Sequence, residues 1–243
     1  MTTNDNLMVI AHRGAAGEAP ENTLAAFALG LEQGCTGIEL DVHLSKDGEV
    51  IVCHDTMIDR TSDGKGAISD LTVAELKKAD AGRWFHERFE GERLPLLEEV
   101  FDLVPPEVQI NVEVKAGVGD IVPALVKLME RKNRLAGVFV SSFDFDILEQ
   151  VKELEPEARV GLLYNIRMKH HYRMAQLLDN PVYSLHPHWS RLNEQNVRAA
   201  TERGLRVYPW TVNKEADMRK MIACGVSGII TDYPGRLKRL LES

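Results

Sequence analysis

Two short stretches hold the residues best able to do chemistry: Glu39-Leu40-Asp41 and Glu113-Val114-Lys115. Around the first, Ile38, Leu40 and Val42 alternate with Glu39, Asp41 and His43, the period of a strand. Side chains two apart leave a strand on one face, so the carboxylates of Glu39 and Asp41 stand together. A solvated edge strand would tolerate that pair. In a chain whose apolar runs bury both faces, it needs a positive partner. The second stretch repeats the pattern, with Asn111, Glu113 and Lys115 on one face and Ile110, Val112 and Val114 on the other. Three carboxylates converging from neighbouring strands would make a hard, all-oxygen cation site suited to Mg²⁺, Ca²⁺ or Mn²⁺ and not to zinc. With one divalent cation, Arg13 and Lys115, the cluster carries a single net positive charge, which a phosphodiester neutralises. His12 and His54 supply groups that titrate near working pH. Diester hydrolysis needs a base for the attacking oxygen and an acid for the departing alkoxide, and the order of the two imidazoles stays open.

These residues need a scaffold that points them at one place. Leu7–Ala11 reads as an apolar strand with His12-Arg13-Gly14 at its end. A helix capped by Asn22 follows, with Leu24, Phe27, Ala28 and Leu31 on its apolar face. After the Glu39/Asp41 strand, Asp47-Gly48 signals a hairpin returning through Val50–Cys53 to His54. The stretch 47–94 is polar and irregular, apart from a capping box at Thr72 and Glu75, and reads as a small insertion. Leu94–Leu97 opens a helix that ends before Pro105. Strands are then predicted at Val108–Lys115, Val138–Ser142, Ala158–Leu163, Val182–His186, Leu205–Trp210 and Gly228–Thr231, with helices of about 10 to 14 residues between them. Eight such units predict an α/β fold, a TIM (β/α)₈ barrel forming one domain over 1–243, in preference to an open doubly wound sheet. Barrel strands present functional groups at their C-terminal ends. That rule collects His12, Arg13, Glu39, Asp41, Glu113, Lys115 and Trp210, together with Ser142, His186 and Asp232, to which no role is given. His43, His86, His170, His171 and His188 read as structural. Trp210, most simply core, becomes a candidate substrate wall from its strand-end place.

Composition sets the outer limits. With 243 residues, 44% hydrophobic and 27% charged, the chain can bury one large core. A net charge of −8 argues against nucleic acid and anionic membrane surfaces as partners. The three cysteines, Cys35, Cys53 and Cys224, lack metal or redox spacing. No targeting stretch or apolar run of about 20 residues is present, so a cytoplasmic location without stable membrane association is expected. A homo-oligomer is compatible with all of this.

Ala11-His12-Arg13-Gly14, Pro20-Glu21-Asn22-Thr23, Glu39-Leu40-Asp41-Val42, His54-Asp55 and Asp59-Arg60-Thr61 resemble the glycerophosphodiester phosphodiesterases. So do Leu94-Pro95-Leu96-Leu97-Glu98-Glu99, Asn111–Lys115, Trp210–Asn213 and Thr231–Pro234. The resemblance implies a TIM barrel with a family insertion after the second strand, and one divalent cation on Glu39, Asp41 and Glu113. It implies acid/base roles for His12 and His54, phosphate contacts from Arg13 and Lys115, and Trp210 packed on a glycerol moiety. The implied activity is hydrolysis of a small glycerophosphodiester to glycerol 3-phosphate and an alcohol. Rival readings are a lysophospholipase D, a cyclic-phosphate-forming phosphodiesterase and a non-catalytic phospho-ligand-binding barrel.

Overall fold

The computed structural model describes residues 7–115 and 120–242, so the outermost ends of the expected 1–243 span lie outside the described residues. Eight parallel strands run in the order β8-β7-β6-β5-β4-β2-β1-β9. They are β1 (Met8–His12), β2 (Gly37–Leu44), β4 (Gln109–Val114), β5 (Val138–Ser142), β6 (Arg159–Tyr164), β7 (Ser184–Pro187), β8 (Arg206–Val207) and β9 (Gly228–Thr231). A ninth, β3 (Val50–Val52), pairs antiparallel with β2 and sets Ile51 against His43, the hairpin expected from Asp47-Gly48.

The ring closes between β8 and β9 through individual bonds: the Ser227 amide donates to the Val207 carbonyl at 3.0 Å, and the Ile230 amide to the Pro209 carbonyl at 3.0 Å. A strand was predicted over Leu205–Trp210, but the regular ladder covers only Arg206–Val207. Pro209 has no N–H to donate, which interrupts a ladder.

Side-chain alternation sorts the residues between two layers. Ile38, Leu40 and Val42 of β2 and Ile110, Val112 and Val114 of β4 join the main core, which also holds Phe27 and Leu97. These belong to α1 (Leu24–Glu32) and α3 (Leu97–Leu103). Each such fully buried aliphatic side chain contributes about 1.5–3 kcal/mol, so the outward face holds the strands in register. A smaller cluster of Ile10, Phe139, Tyr208 and Ile230 forms separately. The opposite faces of β2 and β4 are left to the polar residues.

Past β3 the chain leaves the repeating pattern and gathers its own core of Ile51, Cys53, Ile58, Ile68, Leu76, Ala79, Ala81 and Leu94. The predicted box appears there, with Glu75 Oε2 accepting from the Thr72 amide at 2.9 Å at the start of α2 (Val73–Leu76). The regular alternation resumes with α4 (Val122–Arg131), α5 (Phe145–Leu154), α6 (Glu194–Thr201), α7 (Glu215–Ala223) and α8 (Pro234–Glu242).

Two local expectations change. The cap of α1 is Thr23, not Asn22: Thr23 Oγ1 accepts from the Ala26 amide at 3.2 Å. Between β6 and β7 there is a 3₁₀ turn over His171–Leu177 in place of the expected α-helix. That stretch does carry Met174, Leu177 and Leu178 at helical spacing. It is pinned by the Tyr164 hydroxyl at 3.0 Å from His171 Nδ1 and by His171 Nε2 at 3.2 Å from the Arg191 carbonyl.

Candidate active site

The ladder between β2 and β4 places Asp41 opposite Glu113 and Glu39 opposite Asn111. All four residues are buried. One carboxylate oxygen from each of Glu39, Asp41 and Glu113 lies within 4.8 Å of the others, the only such convergence of metal-ligating groups among the described residues. The donor set is hard oxygen throughout, which fits a divalent cation of the magnesium or calcium type.

The charges of the cluster are balanced from the side. Lys115 Nζ lies 2.6 Å from Asp41 Oδ1 and 2.5 Å from Glu113 Oε1, and Arg13 Nε lies 3.3 Å from Asp41 Oδ2. Asn22 Nδ2 donates to Asp41 Oδ2 at 2.9 Å. The three acids therefore differ. Burial would raise Asp41, but Lys115 and Arg13 hold it well below the ordinary carboxylate range. Burial, with repulsion from Asp41 and Glu113, pushes Glu39 well up. Burial and Asp41 raise Glu113 to about 7.

The loop after β1 is bent to deliver Arg13. Arg13 and Asn22 both adopt left-handed backbone, at φ 55° and 57°, a conformation that side-chain-bearing residues keep only where the surroundings impose it. Gly14 follows at φ 82°, and a Cβ there would stand 2.5 Å from the Ala26 carbonyl carbon. The Arg13 amide donates to the Glu39 carbonyl at 2.8 Å and to Glu39 Oε2 at 3.2 Å. This turn also fixes His12, whose Nε2 lies 3.9 Å from Glu39 Oε2.

Each candidate imidazole is backed by a carboxylate. His12 Nδ1 lies 2.6 Å from Asp232 Oδ1, and Asn213 Nδ2 donates to Asp232 Oδ2 at 2.5 Å. Burial would raise Asp232, but His12 and Asn213 keep it low and ionised, so it can only accept. The proton on His12 is thereby assigned to Nδ1, and Nε2 is left for the cleft. His54 Nδ1 likewise lies 2.6 Å from Asp55 Oδ1. The bond from Arg60, assisted by His54, holds Asp55 down at about 2. Burial lowers His54 itself from the ordinary histidine value. Arg60 Nε donates to Asp55 Oδ2 at 2.5 Å, and its two terminal nitrogens grip Glu21 at 2.9 and 2.8 Å. Glu21 also accepts from Arg13 at 2.9 Å, so one network holds both Arg13 and His54.

A cleft of about 460 Å³ brings together His12, Arg13, Glu39, His54, Glu113 and Lys115. Trp210 and Phe143 form part of its wall, with ring centroids 5.6 Å apart at 86°. Trp210 is fixed by Nε1 donating to the His186 carbonyl at 2.7 Å.

The remaining strand-end candidates are structural. Ser142 Oγ donates to the Val114 carbonyl at 2.8 Å. His186 is fully buried, with Nε2 2.8 Å from Ser184 Oγ and rings of Phe139 and Tyr208 beside it. Burial drives His186 down to about 3 from 6.5. A histidine kept neutral in the fold takes a proton on unfolding below its ordinary value. Stability is therefore intact above pH 6.5 and falls as pH drops beneath it, by about 1.4 kcal/mol per pH unit from this residue. Urea unfolding at pH 7, 6 and 5 is expected to show that slope, and His186→Gln to remove it. Parallel losses in the two proteins would refute the assignment.

The sequence left Asp232 without a role and did not foresee Arg60, Glu21 or Asn22 at the site. Asp232→Asn is expected to lower kcat by about 10²- to 10⁴-fold, the scale on which a proton-transferring imidazole suffers when the carboxylate that sets its tautomer becomes an amide. It also shifts the pH profile, because the amide can present N–H to His12 and reverse its tautomer. An unshifted profile at full activity would show that Asp232 does not set it.

An eight-stranded parallel barrel with acidic, basic and imidazole groups gathered at one end defines the class as a TIM-barrel protein equipped to handle phosphate esters. Residues 12–236 match the model of the glycerophosphoryl diester phosphodiesterase family, and the chain belongs to that family. A glycerophosphodiester phosphodiesterase of Caldanaerobacter subterraneus is 42% identical over 97% of this chain and 98% of its own. A phosphodiesterase of Oleispira antarctica, solved with the product sn-glycerol-3-phosphate, superposes with a TM-score of 0.88 at 32% identity, covering 97% of each chain. A human lysophospholipase D is 28% identical over 96% of this chain and 86% of its own.

Proposed function

We propose that this chain hydrolyses glycerophosphodiesters to sn-glycerol 3-phosphate and an alcohol. The observation that carries the reading is the convergence of Glu39, Asp41 and Glu113 beside two imidazoles, each held at Nδ1 by an ionised carboxylate. Family membership and the product-bound relative support the same substrate class.

Glu39, Asp41 and Glu113 would hold one Mg²⁺ or Ca²⁺, with Mn²⁺ a further fit to the same oxygens. When bound, that ion supplies positive charge to a phosphoryl oxygen. Arg13 and Lys115 hold the anionic diester and offset charge building on its other oxygens. One imidazole takes the proton from the attacking water as oxygen joins phosphorus. The other gives a proton to the alkoxide as the phosphorus–oxygen bond to the leaving alcohol breaks. Asp232 and Asp55 keep both Nε2 atoms turned to the cleft. Trp210 forms the wall for the glycerol carbons. Among the described residues no helix is long and apolar enough to cross a membrane, and a small water-soluble diester is the substrate favoured over a lysolipid.

The test is turnover of glycerophosphocholine, read as glycerol 3-phosphate, and of a long-chain lysophosphatidylcholine, read as lysophosphatidic acid, each with Mg²⁺, Ca²⁺ or excess chelator. Rapid, chelator-sensitive release from the diester is expected. Preference for the lysolipid would favour the lysophospholipase D reading, and tight binding without product a non-catalytic barrel. Phosphorus NMR of early turnover separates water attack from closure of the glycerol 2-hydroxyl onto phosphorus, which gives a cyclic product.

A further inference from the structure

Asn111 lies on β4 one inward position before Glu113, and therefore deeper in the barrel. It is 1% exposed, it lines the cleft, and neither Nδ2 nor Oδ1 has a hydrogen-bond partner. A buried amide left wholly unpaired is costly on both its donor and its acceptor side. Glu39, opposite it in the ladder, is bonded instead by the Arg13 amide at 3.2 Å.

The chemistry of the orphaned group selects its ligand. A phosphoryl oxygen of a diester only accepts, and so would leave Oδ1 unmet. A cation would meet Oδ1 and leave Nδ2 without a partner. A hydroxyl both donates and accepts, and two vicinal hydroxyls can occupy both ends of an amide at once. The substrate class proposed above carries such a pair on its glycerol carbons, whereas the leaving alcohol varies.

We propose that Asn111 is a substrate-binding residue that hydrogen-bonds the free hydroxyls of the glycerol moiety and so selects glycerol esters over other phosphodiesters; this rests on the glycerophosphodiester reading. The side chain is held for the task by its strand, since Ile110 and Val112 on either side are fully buried in the outer core. A site built to bond a hydroxyl discriminates against the analogue lacking it, because its own polar groups are then left unpaired.

The test pairs the residue with the hydroxyls. Glycerophosphocholine is compared with the phosphocholine esters of propane-1,2-diol and propane-1,3-diol, each missing one hydroxyl, in the wild type and in Asn111→Leu. The wild type is expected to lose roughly tenfold or more in kcat/KM on at least one analogue. Asn111→Leu should lose a similar factor on the parent ester and little on that analogue. Equal losses on all three esters, or none, overturn the proposal. A second measurement needs no variant: the Asn111 side-chain amide resonance of the wild type, with Ca²⁺ present, should shift with sn-glycerol 3-phosphate and not with inorganic phosphate. A shift with both, or with neither because a water occupies the amide, also overturns it. If the wild type releases no glycerol 3-phosphate from glycerophosphocholine, the proposed function itself has failed. If release is normal and the discrimination of Asn111→Leu is unchanged, only the role of Asn111 has.

Discussion

Glu39→Gln, Asp41→Asn and Glu113→Gln are each expected to reduce kcat/KM for a glycerophosphodiester by about 10³-fold or more, yet to move stability in opposite directions. The activity loss follows from the several kcal/mol that a bound divalent ion contributes to charge stabilisation, at about 1.4 kcal/mol per factor of ten. The stability contrast follows from how the acids differ when no ion is bound. Burial and two acidic neighbours already push Glu39 strongly towards its neutral form, and Glu113 sits at about 7. An amide there replaces a carboxyl already driven towards its neutral form, and Lys115 keeps Asp41 at 2.6 Å, so the metal-free variants should melt at or above the wild-type temperature. Asp41 is the reverse case. It is the ionised partner of Lys115 at 2.6 Å and of Arg13 at 3.3 Å, and it accepts from Asn22. Asp41→Asn takes the shared carboxylate from two buried cations, leaving Lys115 with Glu113 and Arg13 with Glu21, and costs up to about 3–5 kcal/mol, the scale for removing one member of such a buried group. Activity assays beside thermal melts in chelator read both effects. Full activity in any of the three would remove that residue from the cation site, and a stabilised Asp41→Asn would refute the charge assignment.

His12→Ala and His54→Ala are each expected to lower kcat by at least about 10²-fold, the usual contribution of a positioned proton-transfer group. Affinity for Mg²⁺ or Ca²⁺, measured by calorimetry, should stay within a few-fold of wild type, since neither imidazole belongs to the oxygen cluster. The pH–rate profile should lose one limb in each variant and a different limb in each, which assigns the base and the acid. A variant that loses metal binding along with activity would mean its histidine serves the cation, and the two-imidazole mechanism would fall.

What could be read from the sequence was whatever depended on alternation along one strand. Glu39 with Asp41, and Glu113 with Lys115, were placed on shared faces by counting residues, and the ladder opposing Asp41 to Glu113 follows from strand adjacency. The barrel followed from recurring strand and helix patterns. Contacts that depend on loop trajectories were not legible. His12 and Asp232 are 220 positions apart, and Arg60 meets Glu21 across 39. Asn22 fits the pattern of a helix cap, yet its backbone turns left-handed and sends the amide to Asp41, while Thr23 takes the capping role. The turn over His171–Leu177 escaped because Met174, Leu177 and Leu178 fit a helix, while the bonds from His171 to Tyr164 and Arg191 that hold the chain depend on the tertiary fold.

The interrupted closure between β8 and β9 has a dynamic corollary. Seven parallel ladders hold the ring, and the remaining junction relies on scattered bonds around Val207, Pro209 and Val212. Amides protected by few cooperative neighbours exchange through local opening and not through global unfolding. Exchange of the amides at 208 and 210–212 should therefore lead that of β2 and β4. Trp210 stands at this hinge of the stave ring. Its fluorescence would report whether an occupied mouth clamps the barrel shut.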